Sequence, residues 1–249
     1  MTASRDAGEF GRIAGRTSGG EKGAGPAKEI HTAVRLIVFD CDGTLVDSQA
    51  GIVACVQAAF VAESLTPPAT GAVRRVVGLS LLEAMLELMA EPEPAVAARL
   101  VDGYKAASRE RRGRPEFHEP LFPGARELLD ALLERELLLG VATGKAMRGL
   151  RFVLERHGLE RHFATLQTAD LHPSKPHPAM LRAAMAETGA APGETMLVGD
   201  TTFDVLMARA AGAMPVGVSW GNHPAWELAA AGAEHVLERF TDLSDLLPG

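Results

Sequence analysis

The sequence has 249 residues, of which 47% are hydrophobic and 23% charged, and its formal net charge is −7. This length and balance fit a globular chain with one large domain, or with a core and an inserted smaller domain. The acidic charge argues against a protein that binds a nucleic-acid backbone. Two cysteines without CxxC spacing, Cys41 and Cys55, make a disulfide framework or a cysteine zinc site unexpected and fit a reducing cytoplasm.

Residues 1–33 are rich in glycine, alanine, serine and charged side chains, and they contain no apolar run typical of a signal peptide. We expect a flexible tail there. No apolar stretch approaches the roughly 20 residues that span a bilayer. The sequence therefore predicts a cytoplasmic protein that binds a small molecule, without a membrane or nucleic-acid partner. It leaves open whether the protein is a monomer or a homodimer.

Short apolar runs rich in β-branched residues predict buried strands. These runs are 34–39, 137–142, 163–168, 195–198, 214–219 and a weaker one at 234–237. The helical patterns between them end at Gly158, Gly189 and Gly212, where glycine is favoured just past a helix. Strands that alternate with helices indicate right-handed crossovers and a parallel sheet, so we predict an α/β, Rossmann-like core.

The long interval between the first and second strands breaks this alternation and is mostly helical in pattern. An amphipathic stripe runs from Ile52 to Phe60, the run Ser80 to Glu83 is typical of a capping box, and a third helical segment spans 94–111. We predict an inserted helical domain at 47–119. The core would then consist of residues 34–46 and 120–249.

The first predicted strand ends in the run DCDGTLVDS at 40–48. Residues at the carboxyl ends of parallel strands face the ligand crevice of an open α/β sheet. Two carboxylates there, Asp40 and Asp42, can serve as a nucleophile and as a proton donor and acceptor. An ordinary surface turn is the alternative for this run taken alone, because aspartate and glycine are common in turns.

Three later segments lie at or after the ends of the following strands. Thr143 lies at the tip of the second strand in VATGK, Lys175 lies in SKPHP after the third strand, and GDTTFD at 199–204 ends the fourth. Together with the run at 40–48 they form a pattern that resembles the haloacid dehalogenase superfamily, in its phosphoglycolate-phosphatase-like branch. Each segment by itself fits a loop or a helix cap. All four occur in the order of the family motifs, and the resemblance covers about residues 34–240.

The resemblance implies a Mg²⁺ site and the roles of its neighbours. The ligands would be the carboxylates of Asp40 and Asp200 and the backbone carbonyl of Asp42, with Asp204 in the outer shell, because Mg²⁺ prefers oxygen ligands and keeps several waters. Thr143, Gly144 and Lys175 would bind the substrate phosphate.

For the reaction, the resemblance implies that Asp40 forms an aspartyl phosphate while Asp42 acts as general acid and then general base. An aspartate at position 42 favours phosphoryl transfer over dehalogenation, since a leaving halide needs no proton. The predicted function is hydrolysis of a small phosphorylated metabolite, either phosphoglycolate-like or a sugar phosphate. A phosphosugar mutase, a pyrophosphatase and a catalytically idle binding protein remain alternatives.

The helical insert lies where this branch places a cap, which closes over the crevice and excludes water. Arg74, Arg75 and the turn 78–80 are candidates for substrate contacts on it. A solvated helix face is an equally good explanation of each of them.

Overall fold

The computed structural model describes residues 34–247. The tail 1–33 lies outside the described residues, so its predicted flexibility stays a prediction. The strands are β1 (Leu36–Phe39), β2 (Leu138–Thr143), β3 (Thr165–Thr168), β4 (Thr195–Gly199), β5 (Met214–Val218) and β6 (His235–Leu237). They form one parallel sheet in the order β3-β2-β1-β4-β5-β6. All the predicted strands are present, with ends that differ by one or two residues.

The helices alternate with the strands except between β1 and β2. They are α1 (Gln49–Ala62), α2 (Thr70–Val76), α3 (Leu81–Leu88), α4 (Pro94–Arg112), α5 (Ala125–Glu134), α6 (Met147–His157), α7 (Ala179–Thr188), α8 (Thr202–Ala211) and α9 (Ala225–Ala231). The predicted glycines end α6, α7 and α8 in the left-handed conformation. No helix within residues 34–247 combines the length and the apolar character needed to cross a membrane.

The sheet is buried on both faces, as the continuous apolar runs of its central strands require. Ile37 and Phe39 of β1 belong to a cluster with side chains of α5 and α6, whereas Leu36 and Val38 belong to a cluster with α7 and α8. Consecutive strand residues point to opposite faces, so β1 anchors both layers. The fold is a three-layer α/β/α core, as predicted.

Helices α1 to α4 bury an apolar cluster of their own, which includes Val56, Phe60, Met85 and Leu100. The chain leaves and re-enters the core at adjacent points, because Asp47 N–H donates to the carbonyl of Pro120 at 2.8 Å. These four helices lie within the predicted insert 47–119. The exact boundaries of that domain stay predictions.

The predicted capping box at the start of α3 forms only in part. Ser80 Oγ accepts a hydrogen bond from Glu83 N–H at 3.4 Å, as an N-cap side chain does. The N–H of Ser80 donates instead to Ser174 Oγ at 2.7 Å. This contact ties the start of α3 to the loop that contains Lys175, which a reading of the local sequence could not reveal.

Candidate active site

Three buried carboxylates meet at the carboxyl edge of the sheet, where neighbouring strands β1 and β4 end. Asp40 directly follows β1, and Asp200 directly follows β4. Asp204 lies in the first turn of α8, and oxygen atoms of all three groups lie within 4.8 Å of one another. The chain continues from these two strands toward opposite sides of the sheet, and such switch points are where α/β folds bind ligands.

Lys175 lies between two of these carboxylates and is fully buried. Its Nζ is 2.9 Å from Asp40 Oδ1 and 2.6 Å from Asp204 Oδ1. Burial by itself would favour the neutral amine, but the charges of Asp204 and Asp40 outweigh it and raise the pKa of Lys175 above its ordinary value. The ammonium is therefore a fixed positive charge beside Asp40.

The N-terminus of α8 fixes the orientation of Asp204. Thr201 is the N-cap residue, and its hydroxyl and N–H donate to Asp204 Oδ2 at 2.6 and 3.2 Å. Because Oδ1 accepts from Lys175, both oxygens of Asp204 are already engaged. The predicted place of Asp204 in the outer shell of a metal stays a prediction.

Asp200 is held by groups that the sequence analysis did not single out. Thr44 Oγ1 donates to Asp200 Oδ1 at 3.0 Å, and the backbone and side-chain amides of Asn222 donate to Oδ2 at 2.7 and 2.8 Å. Two glycines make room for this carboxylate. A Cβ at Gly43 would lie 2.3 Å from Asp200 Oδ2, and one at Gly221 would lie 2.1 Å from Asp200 Cβ.

The buried cluster carries an excess of negative charge, because one ammonium faces three carboxyl groups. Burial, together with the charges of Asp204 and Asp200 and despite the opposing charge of Lys175, raises the pKa of Asp40 to about 7. Burial and the charge of Asp204 raise the pKa of Asp200 to about 6. A divalent cation would relieve this excess.

The donor set also fits a hard cation such as Mg²⁺. The cluster offers carboxylate oxygens and no sulfur or imidazole ligand among the described residues. Asp40 Oδ2 is buried and accepts no hydrogen bond from any residue in 34–247. Burying a carboxylate oxygen without a hydrogen-bond donor costs free energy of folding unless a ligand binds that oxygen.

Asp42 lies at the surface of a cavity beside this cluster. Ser48 Oγ donates to Asp42 Oδ1 at 2.5 Å, and Lys145 Nζ lies 2.9 Å from the same oxygen. Burial disfavours the charged amine of Lys145, but the charge of Asp42 contributes to a net rise in its pKa. Neither Ser48 nor Lys145 was predicted in this position, although Ser48 ends the motif at 40–48 and Lys145 directly follows Gly144.

The cavity has a volume of about 530 Å³. On the core side it is lined by Asp40, Asp42, Thr143 and Gly144, which we call the catalytic floor. The opposite side consists of residues from α1 to α4 and the turn 78–80. Lys175, Asp200 and Asp204 do not line the cavity and lie fully buried beside Asp40. The structure thus brings all seven predicted site residues into one region.

The turn 78–80 packs tightly against the floor. A Cβ at Gly144 would lie 2.3 Å from the carbonyl oxygen of Leu79. Arg74 donates to the carbonyl of Gly221 at 2.8 Å, and Arg75 forms an ion pair with Glu227. Of the candidate substrate contacts on the insert, the turn therefore lines the cavity, whereas the two arginines bind the core outside it.

Comparison with known proteins places this chain in a class of hydrolases. The haloacid dehalogenase-like hydrolase family matches residues 37–218. The chain is 37% identical to the probable phosphatase IndB of Dickeya dadantii over 210 residues, which cover 84% of this chain and 91% of that protein. It is 34% identical to a phosphoglycolate phosphatase of Rhodospirillum rubrum over 223 residues, which cover 86% and 90%.

Solved structures agree with this placement. A hydrolase from Pseudomonas syringae has a TM-score of 0.74 at 30% identity and matches 85% of this chain and 96% of that one. A predicted phosphoglycolate phosphatase from Haemophilus somnus has a TM-score of 0.76 at 23% identity, with coverage of 86% and 98%, and supports the fold alone. The chain belongs to the haloacid dehalogenase-like hydrolase family. Within it, the protein is a phosphatase of the phosphoglycolate-phosphatase-like branch.

Proposed function

We propose that this phosphatase is magnesium-dependent and hydrolyses a small phosphorylated metabolite through a phosphoryl group carried on Asp40. The observation that carries the proposal is the state of the Asp40 carboxylate. It lines the cavity, Lys175 contacts one of its oxygens at 2.9 Å, and the other oxygen has no hydrogen-bond donor in the described chain. A carboxylate that is held at one oxygen and has no donor at the other is suited to act as a nucleophile.

The metal would be held by the carboxylates of Asp40 and Asp200 and by the backbone carbonyl of Asp42. Asp204 would support the site from outside, where it holds the ammonium of Lys175 that contacts Asp40. When bound, Mg²⁺ supplies positive charge that lowers the repulsion between the carboxylates and an anionic phosphate.

In the first step, an oxygen of Asp40 attacks the phosphorus, and the bond from phosphorus to the ester oxygen breaks. Asp42 gives its proton to the departing alkoxide. Both aspartates line the same cavity, so nucleophile and proton donor face one bound ester. The hydroxyl of Thr143, the N–H of Gly144 and the ammonium of Lys175 would donate to the phosphoryl oxygens during transfer.

In the second step, Asp42 accepts a proton from a water molecule whose oxygen attacks the phosphorus of the aspartyl phosphate. The bond to Asp40 breaks, and inorganic phosphate leaves with the carboxylate restored. Ser48 and Lys145 hold Asp42 at the edge of the floor between these two proton transfers.

We propose that residues 47–119 act as a cap over this reaction. The contact of the turn 78–80 with Gly144, and the hydrogen bond from Ser80 N–H to Ser174 Oγ, support a closed arrangement. Closure keeps bulk water from the phosphoryl group and limits the substrate to small molecules.

Phosphate release from p-nitrophenyl phosphate tests the proposal. We expect turnover with Mg²⁺, loss of turnover with excess EDTA, and a fall in kcat of at least about a thousandfold in Asp40→Asn. The control is Asp245→Asn, which changes an exposed aspartate outside the cavity. Undiminished turnover by Asp40→Asn would contradict the mechanism, and isomerised sugar phosphates without free phosphate would indicate a mutase.

A further inference from the structure

The part of the cavity formed by the helical insert is apolar. Its partly exposed lining side chains, which we call the apolar wall, are Ile52, Val76, Leu79, Leu81, Leu82 and Val101. Leu82 is 46% exposed although it faces this cavity. Covering such side chains with an apolar group strengthens binding by about fourfold for each methylene buried.

The cavity is also larger than a very small substrate requires. At about 530 Å³ it falls within the range of roughly 300–1,000 Å³ that encloses drug-sized ligands. Glycolate, the leaving group of phosphoglycolate, has a single methylene and would leave most of the apolar wall uncovered. The wall therefore favours a leaving group with an apolar body.

A third side of the same cavity is strongly basic. Lys105, Arg109 and Arg112 from α4 and Arg148 from α6 line it, and we call these four residues the basic rim. A second cavity of about 700 Å³ shares Arg109, Arg112 and Arg148 and adds Arg151, with one acidic residue, Glu155. This concentration of positive charge occurs in a chain whose net charge is −7, and it attracts anions to the cavity mouth.

The basic rim is open to a ligand. Within residues 34–247, Arg109 and Arg148 form no ion pair with a carboxylate. Asp170 also lines the cavity, but its carboxylate accepts hydrogen bonds from Met147 N–H and from the hydroxyl of Thr168. The rim therefore carries positive charge without an internal counter-ion at these two arginines.

Arg112 gives the rim a fixed element. Its Nη2 donates to Ser108 Oγ at 2.8 Å, and its guanidinium carbon lies 5.1 Å from the centre of the Phe152 ring. Stacking on an aromatic ring and a side-chain hydrogen bond hold the guanidinium plane in place while other N–H groups stay available. Planar guanidinium groups bind carboxylates and phosphates through paired hydrogen bonds.

We infer that the substrate is the phosphate monoester of an amphiphilic alcohol, whose apolar body covers the apolar wall and whose second anionic group binds the basic rim. The inference rests on the proposed phosphatase reaction and specifies the leaving group. Asp40, the apolar wall and the basic rim line one continuous cavity, so a single molecule can contact all three.

Three probe esters of primary alcohols test the inference: 6-(phosphonooxy)hexanoate (the acid), 6-(phosphonooxy)hexanamide (the amide, in which the carboxylate is replaced by an uncharged group) and phosphoglycolate. We expect kcat/KM for the acid to exceed that for the amide by about tenfold, since a hydrogen-bonded charge pair contributes at least about 1.5 kcal/mol. We expect it to exceed that for phosphoglycolate by more than tenfold. Equal rates for acid and amide, or a preference for phosphoglycolate, would overturn the inference.

Variants assign these preferences to the rim and the wall. Arg109→Gln combined with Arg148→Gln should lower kcat/KM for the acid about tenfold more than for the amide, whereas Arg161→Gln, outside both cavities, should change neither. Leu82→Asn should lower kcat/KM for the acid and for the amide about threefold relative to phosphoglycolate, since roughly one methylene of the leaving group loses its cover. Val61→Asn is the control, because Val61 is 62% exposed and outside the cavity.

Failure of this inference is distinct from failure of the proposed function. If no probe releases phosphate in the presence of Mg²⁺, both are wrong. If phosphate is released but the acid shows no advantage, or the rim and wall variants behave like their controls, only the inferred substrate class is wrong.

Discussion

The two sides of the cavity are built in opposite ways. On the core side, the charged groups around Asp40 are fully buried, and donors hold Asp200 and Asp204 at several oxygens. On the insert side, the surface is aliphatic and its side chains are partly exposed, and the basic rim from α4 and the core helix α6 borders it. Fixed charges suit one chemical reaction on a phosphoryl group, whereas adaptable apolar and cationic surfaces suit the choice of leaving group.

Replacing Lys175 should cause the largest change, because it affects the buried charges on the core side of the cavity. Lys175→Met leaves Asp40 and Asp204 without their shared cation, which costs about 3–5 kcal/mol for a buried ion pair. We expect this loss in urea unfolding with EDTA, together with a fall in kcat of at least about a hundredfold. Lys145→Met is the comparison, because Lys145 contacts one carboxylate and is 14% exposed. Equal losses of stability in both variants would show that the fully buried contacts of Lys175 contribute no more than the partly exposed contact of Lys145.

A substitution at Gly144 should affect the contact between the two sides. In Gly144→Ala, the new Cβ would overlap the carbonyl of Leu79, so the turn 78–80 has to move. We expect about 1–3 kcal/mol of destabilisation and a fall in kcat/KM of about tenfold to a hundredfold from misplacement of the substrate. Gly193→Ala is a matched control, since nothing lies within 4 Å of its Cβ. Steady-state kinetics that leave Gly144→Ala at wild-type values would show that closure is unimportant.

The pH dependence of stability should report the crowded carboxylates, with an effect that is smaller within any one pH unit. In the metal-free protein the pKa of Asp40 rises from 3.8 to about 7, mainly through burial. Between these values the folded protein keeps a proton that the unfolded chain releases, so stability falls as pH rises, by at most about 1.4 kcal/mol per pH unit. We expect the stability of wild type minus that of Asp40→Asn, from urea unfolding in EDTA, to decrease across this window. A flat or increasing difference would contradict the assigned environment of Asp40.

The sequence predicted the core side of the cavity more completely than the insert side. Asp40, Thr143 and Asp200 lie directly at strand ends, and short apolar strands are easy to recognise because of their β-branched residues. Helix α2 escaped detection as a separate element, because it has only seven residues and no side-chain cap. Short helices depend on tertiary contacts rather than on local sequence.

Other parts of the site depend on contacts that are distant in the chain. Asn222 binds Asp200 across 22 residues, because the loop after β5 returns to the end of β4. Thr44 donates to Asp200. Its position in the motif at 40–48 is the one feature of the sequence that could have indicated a role in the site. The basic rim joins α4 to α6, and no local pattern indicates that Arg109 and Arg148 line one cavity.

Trapping the covalent intermediate tests the central role of Asp40 most directly. p-Nitrophenolate leaves without a proton, so Asp42→Asn should still permit phosphoryl transfer to Asp40 while slowing attack by water. After acid quench, mass spectrometry of the peptide that contains Asp40 should show the added mass of one phosphoryl group in Asp42→Asn, and none when Asp40→Asn is added. Rapid turnover by Asp42→Asn without any phosphorylated peptide, or a phosphoryl group on another residue, would contradict the account.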